Sequence, residues 1–373
     1  MRALVVERSL ARFAAARVSS RLGPLRLDRG MDEPALPGPG WHRVRPRLAG
    51  ICGSDLATVD GRSSRWFEPV VSFPFVPGHE VVGLLDDGRR VVVEPVLKCA
   101  TRAVHPICRM CAAGRTNLCE RIAFGDLEPG LQTGYCTQTG GGWSEALVAH
   151  DSQLHFVPGA MTDEAAVMVE PAACAVHAAR QGPAAETVAV IGAGTLGLLT
   201  VAALRRGVTP PGRLVAAAKH THQRRLVADL GADDVCPPAE LERVLRRATR
   251  SLSAGRQLTS GAATVFDCVG SAASLAQALR VTAPGGTIVL VGMPGPTLVD
   301  LTPLWQREVT LRGAYAYERV DFEAAFDLVT AADLGRLVSA RYPLERYRHA
   351  VDHAAAAGRR DSVKVAFAPG KEH

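Results

Sequence analysis

Nine cysteines are spread unevenly along the 373-residue chain, and four of them fall within a short segment. Closely spaced thiolates in a protein without a secretory signal indicate metal binding more often than disulfides. The spacing C-x8-C-x2-C-x7-C predicts a closed structural zinc site, with an iron–sulfur cluster as the alternative. The predicted ligands are Cys99, Cys108, Cys111 and Cys119, and His105 is the alternative to Cys99 because it precedes Cys108 in C-x2-C register.

A second set of metal-binding side chains is scattered over the first half of the chain. It consists of Cys52, the neighbours His79 and Glu80, and Glu170. Thiolate, imidazole and carboxylate are the ligand types of a catalytic zinc that keeps one position open for water or substrate. Each residue alone has an ordinary structural alternative, such as a buried thiol or a helix cap. Together, upstream of a nucleotide-binding pattern, they favour a catalytic metal site.

A glycine-rich turn follows the apolar run 188–191 and leads into a helical pattern. Its G-x-G-x-x-G spacing, between a strand and a helix, predicts a dinucleotide site. Gly192 permits the tight turn, Gly194 lets the backbone approach a pyrophosphate, and Gly197 allows close packing of helix on strand. Thr195 and Leu196 open the helix, whose N-terminus faces the anion.

The end of the next strand indicates which nicotinamide cofactor is bound. NAD-binding units usually carry a carboxylate there for the ribose 2′-hydroxyl, but this chain has Ala218 followed by Lys219 and, further on, Arg224. Cations beside a small residue suit a 2′-phosphate, so the sequence favours NADP over NAD. The alternative is that these side chains only solvate the following helix.

Two later strands are expected to end at the nicotinamide pocket. Ligands of open parallel sheets lie outside the carboxyl ends of the strands. The residues at those ends are Val269 and Gly270 after one strand, and Val291 and Met293 after the next. We therefore expect these four residues to line the pocket.

The secondary-structure patterns that must position these residues differ between two parts of the chain. The first part is rich in Gly, Pro and short apolar runs such as 3–6, 73–76 and 90–93, which predict short strands joined by turns. From about residue 172, strands alternate with helical patterns, which predicts an α/β fold with a doubly wound parallel sheet. A strand at 363–367 suggests that the tail returns to complete the first domain. The predicted strands of the parallel sheet are 187–191, 213–217, 234–236, 263–267, 287–291 and 309–312.

Composition and charge exclude several function classes. The net charge of +6 is scattered and lacks the aromatic interleaving of a nucleic-acid-binding face. No apolar run reaches the ~20 residues of a membrane span, and charged residues interrupt the first residues before a secretory signal could form. We expect a cytoplasmic protein with a small-molecule substrate, and neither a nucleic acid nor a membrane as partner.

The motifs together resemble the zinc-dependent medium-chain alcohol and polyol dehydrogenases, and the resemblance spans almost the whole chain. It implies a GroES-like catalytic domain formed by 1–171 and 313–373, an inserted Rossmann domain at 172–312, and a homodimer or homotetramer. The motifs, in the family's order, are G-I-C-G-S-D at 50–55, G-H-E-V-V-G at 78–83, the four-cysteine segment, E-P-A-A-C-A-V-H at 170–177 and the glycine-rich turn.

The resemblance also implies roles at the catalytic zinc. Cys52, His79 and Glu170 would be its ligands, and Glu80 would be a nearby or exchanging carboxylate. A Glu at position 170, where simple-alcohol dehydrogenases carry Cys, resembles the polyol branch. With the structural site, two zinc ions per chain are expected.

The resemblance also implies which residues orient the zinc-bound histidine and accept the proton of the alcohol substrate. By resemblance, Asp55 would orient the metal-bound His79. Ser54 would take the proton of the alcohol. The family's pathway often continues to a histidine five residues after the zinc-binding cysteine, but this chain has Ala57 there. Proton exit must then use water, the cofactor ribose or another group.

The implied activity is hydride transfer between an alcohol or polyol, or the matching ketone or aldehyde, and a nicotinamide cofactor. A zinc-independent double-bond or quinone reductase of the same superfamily is the first alternative, but such proteins lack the zinc ligands. A cofactor-binding protein without catalytic activity is the second, and the complete ligand set argues against it.

Overall fold

A computed structural model describes residues 1–207, 210–255, 257–293 and 295–370, with the side chain of Ser20 excepted. The chain forms two units, Met1–Glu170 with Asp333–His373, and Pro171–Ala332. The second unit extends beyond residue 312, where the sequence placed its end. The reason is that Asp321 pairs with His177 Nδ1 at 2.7 Å and accepts a hydrogen bond from Arg180 at 2.5 Å, which ties the segment after 313 to the second unit.

The N-terminal segment consists of short strands and short helices, in accord with its Gly- and Pro-rich sequence. The run 73–76 is an exception, since it is not a strand and only Phe75 forms an isolated bridge, to Val6. Pro74 lacks the N–H that a continuous ladder needs. The strands are β1 (Ala3–Val6), β2 (Leu25–Asp28), β3 (Trp41–Gly50), β4 (Val81–Leu85), β5 (Arg90–Val93), β6 (Leu147–His150) and β7 (Leu154–Phe156), and the α-helices are α1 (Leu10–Ala16), α2 (Gly53–Val59), α3 (Arg109–Ala112) and α4 (Asp163–Ala166).

The second unit contains a six-stranded sheet in which every neighbouring pair is parallel. Its helices are α5 (Val169–Gln181), whose first two residues belong to the first unit, α6 (Thr195–Arg206), α7 (Thr221–Asp229), α8 (Leu241–Ala248), α9 (Ala272–Val281), α10 (Thr302–Gln306) and α11 (Arg319–Ala331). Its strands are β8 (Thr187–Ile191), β9 (Arg213–Ala217), β10 (Asp234–Cys236), β11 (Ser253–Ala254), β12 (Gln257–Leu258), β13 (Ala262–Asp267), β14 (Thr282–Leu290) and β15 (Thr310–Gly313).

The strand order β10-β9-β8-β13-β14-β15 confirms the predicted doubly wound sheet. The chain builds outward from β8 to β10 and then returns to add β13, β14 and β15 on the other side of β8. The direction of winding therefore reverses between β8 and β13. Open parallel sheets bind ligands at such a switch point, outside the carboxyl ends of the strands.

The C-terminal segment returns to the first unit as β16 (Val338–Tyr342), α12 (Tyr347–Ala355) and β17 (Lys364–Phe367). β17 pairs in antiparallel fashion with β3, which joins both ends of the chain in one seven-stranded sheet. The core of this unit is formed by apolar side chains such as Val44, Val81 and Phe367. None of the described helices is long and apolar enough to cross a membrane.

Candidate functional site

The start of α2 and the start of β4 bring three potential metal ligands together in the first unit. The donor atoms of Cys52, His79 and Glu80 all lie within 4.8 Å of one another. Cys52 is the residue that precedes α2, and its backbone N–H donates to Asp55 Oδ2 at 2.9 Å, which fixes the turn. Gly78 has a φ of 98° and packs so closely on Trp143 that a Cβ would collide with the indole.

Asp55 also contacts the imidazole of His79. Its Oδ1 lies 3.3 Å from His79 Nδ1, and both side chains are buried. Burial alone lowers the pKa of His79, but the Asp55 carboxylate and the nearby Cys52 raise that pKa well above its ordinary range. A carboxylate on one ring nitrogen leaves the other nitrogen for a metal, which is the usual arrangement around ligating histidines.

Glu80 forms a buried ion pair that the sequence analysis missed. Lys364, the first residue of β17, places its Nζ 2.6 Å from both carboxylate oxygens of Glu80. Burial lowers the pKa of Lys364, but Glu80 and Cys52 together raise it above its ordinary value. Gly50 is also required here, because a Cβ at this position would collide with Glu80 Oε2. The sequence feature that could have indicated this ion pair is a lysine, Lys364, within the otherwise apolar run 363–367.

Glu170, the second residue of α5, is buried with 4% of its surface exposed. Among the residues that the structure describes, it is not a member of the group formed by Cys52, His79 and Glu80. Its negative charge contributes to the raised pKa of Lys364, so it acts on the same lysine as Glu80. The carboxylate grouped with the thiolate and imidazole is thus Glu80, to which the sequence analysis gave the exchanging role.

Tyr135 is a second residue that the sequence analysis missed. Its hydroxyl donates to Asp55 Oδ1 at 3.3 Å. Its ring packs against Phe75 and His79, with centroid distances of 5.2 and 6.0 Å. Burial, and after it the negative charge of Asp55, raises the pKa of Tyr135 above its ordinary value. No motif connects this tyrosine with α2 in the sequence, so its role was not visible there.

The four cysteines of the predicted structural site come together, and none is in a disulfide. Their sulfur atoms lie within 4.8 Å of one another, with Cys99 Sγ 3.7 Å from Cys119 Sγ. A tetrahedral zinc with Zn–S bonds of about 2.3 Å separates its sulfurs by about 3.8 Å, so the spacing fits this ion. Cys99 belongs to the group, whereas His105 is exposed and does not.

Backbone N–H groups around Cys108 favour its thiolate over its thiol. The N–H of Cys111 and that of Glu120 both donate to Cys108 Sγ, at 3.4 and 3.5 Å. Although burial opposes it, these bonds lower the pKa of Cys108 to about 6. The guanidinium of Arg102 is fully buried beside them and donates to four backbone carbonyls of 124–130, which fixes the surrounding loops.

The glycine-rich turn has the geometry that its spacing predicts. Gly192 has a φ of 92°, and a Cβ on Gly197 would collide with the Gly192 carbonyl. A Cβ on Gly194 would meet no heavy atom within 4 Å, which leaves open space next to the backbone. Thr195 and Leu196 form the first turn of α6, whose unpaired N–H groups are suited to an anion.

The end of β9 carries the predicted cations. Ala218 is buried, and its N–H donates to Cys236 O at 2.9 Å. Lys219 is exposed, whereas Arg224 turns back and donates to the carbonyls of Ala218 and Lys219 at 3.2 and 3.0 Å. Arg224 therefore holds its guanidinium at the carboxyl end of β9 through contacts with the loop itself.

Asp267 organises the loops that follow β13 and β14, and it was not singled out from the sequence. Its Oδ1 accepts hydrogen bonds from the N–H groups of Val269 and Gly270, at 3.0 and 3.1 Å. Its backbone carbonyl accepts from the N–H of Val291 at 2.9 Å. The buried carboxylate thus joins the ends of the two strands, where Met293 follows half-buried.

Comparison with known proteins agrees with this geometry. The family model described as "Alcohol dehydrogenase GroES-like domain" matches residues 38–159, and that described as "Zinc-binding dehydrogenase" matches 195–331. A sorbitol dehydrogenase of Arabidopsis thaliana is 33% identical over 301 residues, which cover 76% of each chain. An L-idonate 5-dehydrogenase of Vitis vinifera is 30% identical and covers 75% of this chain and 74% of its own.

Solved structures share the same architecture. A Sinorhizobium meliloti 1021 protein, solved with NADP bound, superimposes with a TM-score of 0.71 at 25% identity. The match covers 92% of this chain and 95% of that one. The predicted combination of a GroES-like unit with a Rossmann unit is confirmed. The chain therefore belongs to the zinc-dependent medium-chain alcohol and polyol dehydrogenases, which are oxidoreductases.

Proposed function

We propose that this protein is a polyol dehydrogenase that uses NADP in preference to NAD and holds two zinc ions per chain. The observation that carries the proposal is the group of Cys52, His79 and Glu80, in which His79 and Glu80 are buried, with Asp55 on the imidazole and Lys364 on the carboxylate. A thiolate, an imidazole and one carboxylate, from Glu170 or from Glu80 in exchange, would offer three ligands and leave a fourth position open, as in catalytic zinc sites.

In this proposal Cys52, His79 and Glu170 hold the catalytic zinc, and Glu80 is the exchanging carboxylate. Both oxygens of Glu80 are already engaged by Lys364, which supports the assignment of the permanent position to Glu170. When bound, zinc supplies Lewis acidity that lowers the pKa of an alcohol.

The chain's own residues would orient the site and move the proton. Asp55 keeps the ring of His79 fixed, because its Oδ1 contacts Nδ1 from a buried position. Ser54 lies in the first turn of α2, two residues after Cys52, and its hydroxyl accepts the proton of the substrate. When bound, the nicotinamide cofactor would supply the hydride acceptor for alcohol oxidation, or the hydride donor for reduction of the matching ketone or aldehyde.

The second unit would bind the cofactor. The N-terminus of α6 with Gly192, Gly194 and Gly197 takes the pyrophosphate, and the loops held by Asp267 form the nicotinamide pocket. Three features favour NADP: no carboxylate follows β9, Arg224 is fixed at its end, and the similar Sinorhizobium meliloti protein was solved with NADP.

The four cysteines would hold the second zinc as a structural ion. The sulfur spacing supports four sulfur ligands around one ion, and a zinc with four protein ligands has no open position for a substrate.

The substrate class is inferred from two observations. Glu170 stands where the polyol branch has glutamate, and the relatives include a sorbitol and an L-idonate 5-dehydrogenase. We therefore propose that this chain oxidises a polyol or sugar acid, or reduces the corresponding ketone.

We also propose a homodimer or homotetramer in the cytoplasm. All four residues of β15 are exposed, and within the described residues this strand pairs with β14 only. Exposed edge strands are rarely left uncovered, because they offer unpaired N–H and C=O groups to other chains. Leu311 on this strand and the nearby Trp305 are apolar and exposed, which supports coverage by a second copy.

The decisive experiment combines metal analysis with a substrate screen. Purified protein should contain about two zinc ions per chain and should reduce NADP with at least one polyol. Replacing Cys52 with Ser should remove one zinc and abolish turnover. Activity that survives complete removal of zinc would contradict the proposal and indicate a zinc-independent reductase.

Metal analysis of two further variants distinguishes the roles of Glu170 and Glu80. If Glu170 is the permanent ligand, Glu170→Gln should lose the catalytic zinc on dialysis, whereas Glu80→Gln should retain it. The opposite result would assign the third ligand to Glu80.

A further inference from the structure

Asp267, the last residue of β13, carries a carboxylate that is held by neutral groups. The residue is fully buried, with 0% of its surface exposed. Its Oδ1 accepts hydrogen bonds from the N–H groups of Val269 and Gly270, and its Oδ2 accepts from the Ser274 hydroxyl at 2.9 Å. None of these three donors is charged, so these contacts satisfy the oxygens without neutralising them.

The surroundings of Asp267 are those of an ionised carboxylate. Both of its oxygens act as acceptors, one of them for two backbone N–H groups. Ser274 lies in the first turn of α9, so the carboxylate also lies at the N-terminus of this helix. The partial positive charge of a helix N-terminus favours an anion. The group is therefore a buried negative charge that the helix dipole and neutral donors stabilise.

This charge lies directly behind the loops that are expected to face the nicotinamide. Val269, whose N–H bonds to the carboxylate, is 48% exposed. The backbone carbonyl of Asp267 accepts from the N–H groups of Val291 and Gly292, at 2.9 and 3.0 Å. A Cβ on Gly270 would collide with the Gly292 carbonyl, so the two loops are in backbone contact. The carboxylate is thus one hydrogen bond away from residues of the expected pocket.

Hydride transfer changes the charge of the nicotinamide ring. The oxidised ring carries one positive charge, whereas the reduced ring is neutral. A negative charge behind the pocket attracts the first form and has no comparable effect on the second. Because Asp267 is excluded from water, its field is screened less than that of a surface carboxylate. The phosphates of the cofactor are the same in both forms, so their repulsion by Asp267 cancels when the two forms are compared.

We propose that Asp267 makes the second unit select the oxidised nicotinamide cofactor over the reduced one. The proposal rests on the proposed function, since it presupposes that the loops after β13 and β14 form the nicotinamide pocket. Asp267 acts across the backbone of these loops and is a specificity-determining residue, not a catalytic one. The selection favours loading of the unit with the form of the cofactor that oxidises an alcohol.

The test compares the dissociation constants of the two cofactor forms by calorimetric titration of zinc-loaded protein without substrate. The probes are NADP⁺ and NADPH, with NAD⁺ and NADH as a second pair. Asp267→Asn removes the charge and retains the shape of the side chain. The amide oxygen can accept from both N–H groups, and the amide nitrogen can donate to Ser274 Oγ, so the loops keep their hydrogen bonds.

Asp267→Asn should weaken binding of the oxidised form relative to the reduced form by about threefold to tenfold, because the attraction between ring and carboxylate is lost. Ser274→Ala breaks one hydrogen bond to the same carboxylate but leaves its charge, so the ratio of the two dissociation constants should keep its wild-type value.

A second control removes a carboxylate at the opposite edge of the sheet. Asp233 accepts from the N–H of Leu214 at 2.7 Å, near the amino end of β9, whereas Asp267 lies at the carboxyl end of β13. Asp233→Asn removes the same charge from the same unit and should leave the ratio unchanged.

A role of Asp267 that is limited to fixing the loops is the alternative, and it predicts equal weakening of both forms. Equal weakening, or an unchanged ratio in Asp267→Asn, would therefore overturn the proposal. A shift in Ser274→Ala as large as that in Asp267→Asn would also overturn it, because the shift would then follow loop geometry and not charge. A wild-type protein that binds none of the four dinucleotides would instead refute the proposed function, and the selection with it.

Discussion

Replacing Lys364 with Met tests whether the buried ion pair with Glu80 stabilises the first unit. The lysine Nζ lies 2.6 Å from both carboxylate oxygens, and the two side chains are 2% and 1% exposed. Methionine fills a similar volume but leaves the Glu80 charge uncompensated in a dry environment. Removing one partner of a buried pair typically costs about 3–5 kcal/mol in the free energy of unfolding.

The size of the first unit converts this free energy into a melting temperature. For a domain of roughly 150–250 residues, 1 kcal/mol shifts Tm by about 2–4 °C. The first unit, Met1–Glu170 with Asp333–His373, falls within that range. We therefore expect Lys364→Met to lower its Tm by roughly 6–20 °C.

The assay is differential scanning calorimetry of protein dialysed free of the catalytic zinc, so that no bound cation can compensate Glu80, with two comparison variants. Arg341→Met breaks an exposed ion pair with Glu164 in the same unit and should cost at most about 1 kcal/mol. The double variant Lys364→Met with Glu80→Gln should regain much of the lost Tm, because no unpaired charge remains. A loss in Lys364→Met no larger than that in Arg341→Met, or a double variant less stable than the single one, would refute the reasoning.

Three further predictions concern the metal, the cofactor and the assembly. Cys108→Ser should lose one zinc per chain, measured by atomic emission, and should keep the zinc held at Cys52. Loss of both ions would show that the two sites are not independent. Arg224→Ala should weaken NADP binding by about tenfold to a hundredfold in calorimetric titrations, since a hydrogen bond to a charged group contributes about 1.5–3 kcal/mol. Equal weakening of NAD binding would contradict a contact between Arg224 and the 2′-phosphate. Leu311→Arg should reduce the molar mass in light scattering, because it places a charge on the exposed edge of β15, whereas an unchanged mass would locate the interface elsewhere.

The parallel sheet was predictable because each strand is a local apolar run between turn and helix signals. The observed strands β8, β9 and β10 have the predicted bounds, and β13, β14 and β15 overlap the predictions. The tail strand was also expected, since 363–367 is apolar. The bounds of the second unit were less predictable, because the pairing of Asp321 with His177 joins residues 144 positions apart.

Candidate metal-binding groups were predictable where spacing alone restricts the ligands. The four cysteines lie within one segment, so their approach required little knowledge of the fold, although the choice of Cys99 over His105 required the structure. At the second group, the sequence indicated the right residue types. It could not show that Glu80, rather than Glu170, is grouped with Cys52 and His79.

The sequence by itself determined the fold class, the glycine-rich turn and the chemical types of the ligands, because these depend on local patterns and short spacings. Only the tertiary structure decided the surroundings of the ligands. Lys364 reaches Glu80 across 284 positions because β17 pairs with β3, and Tyr135 reaches Asp55 across 80. Such contacts depend on how distant strands and loops pack together, and no local pattern in the chain records that packing.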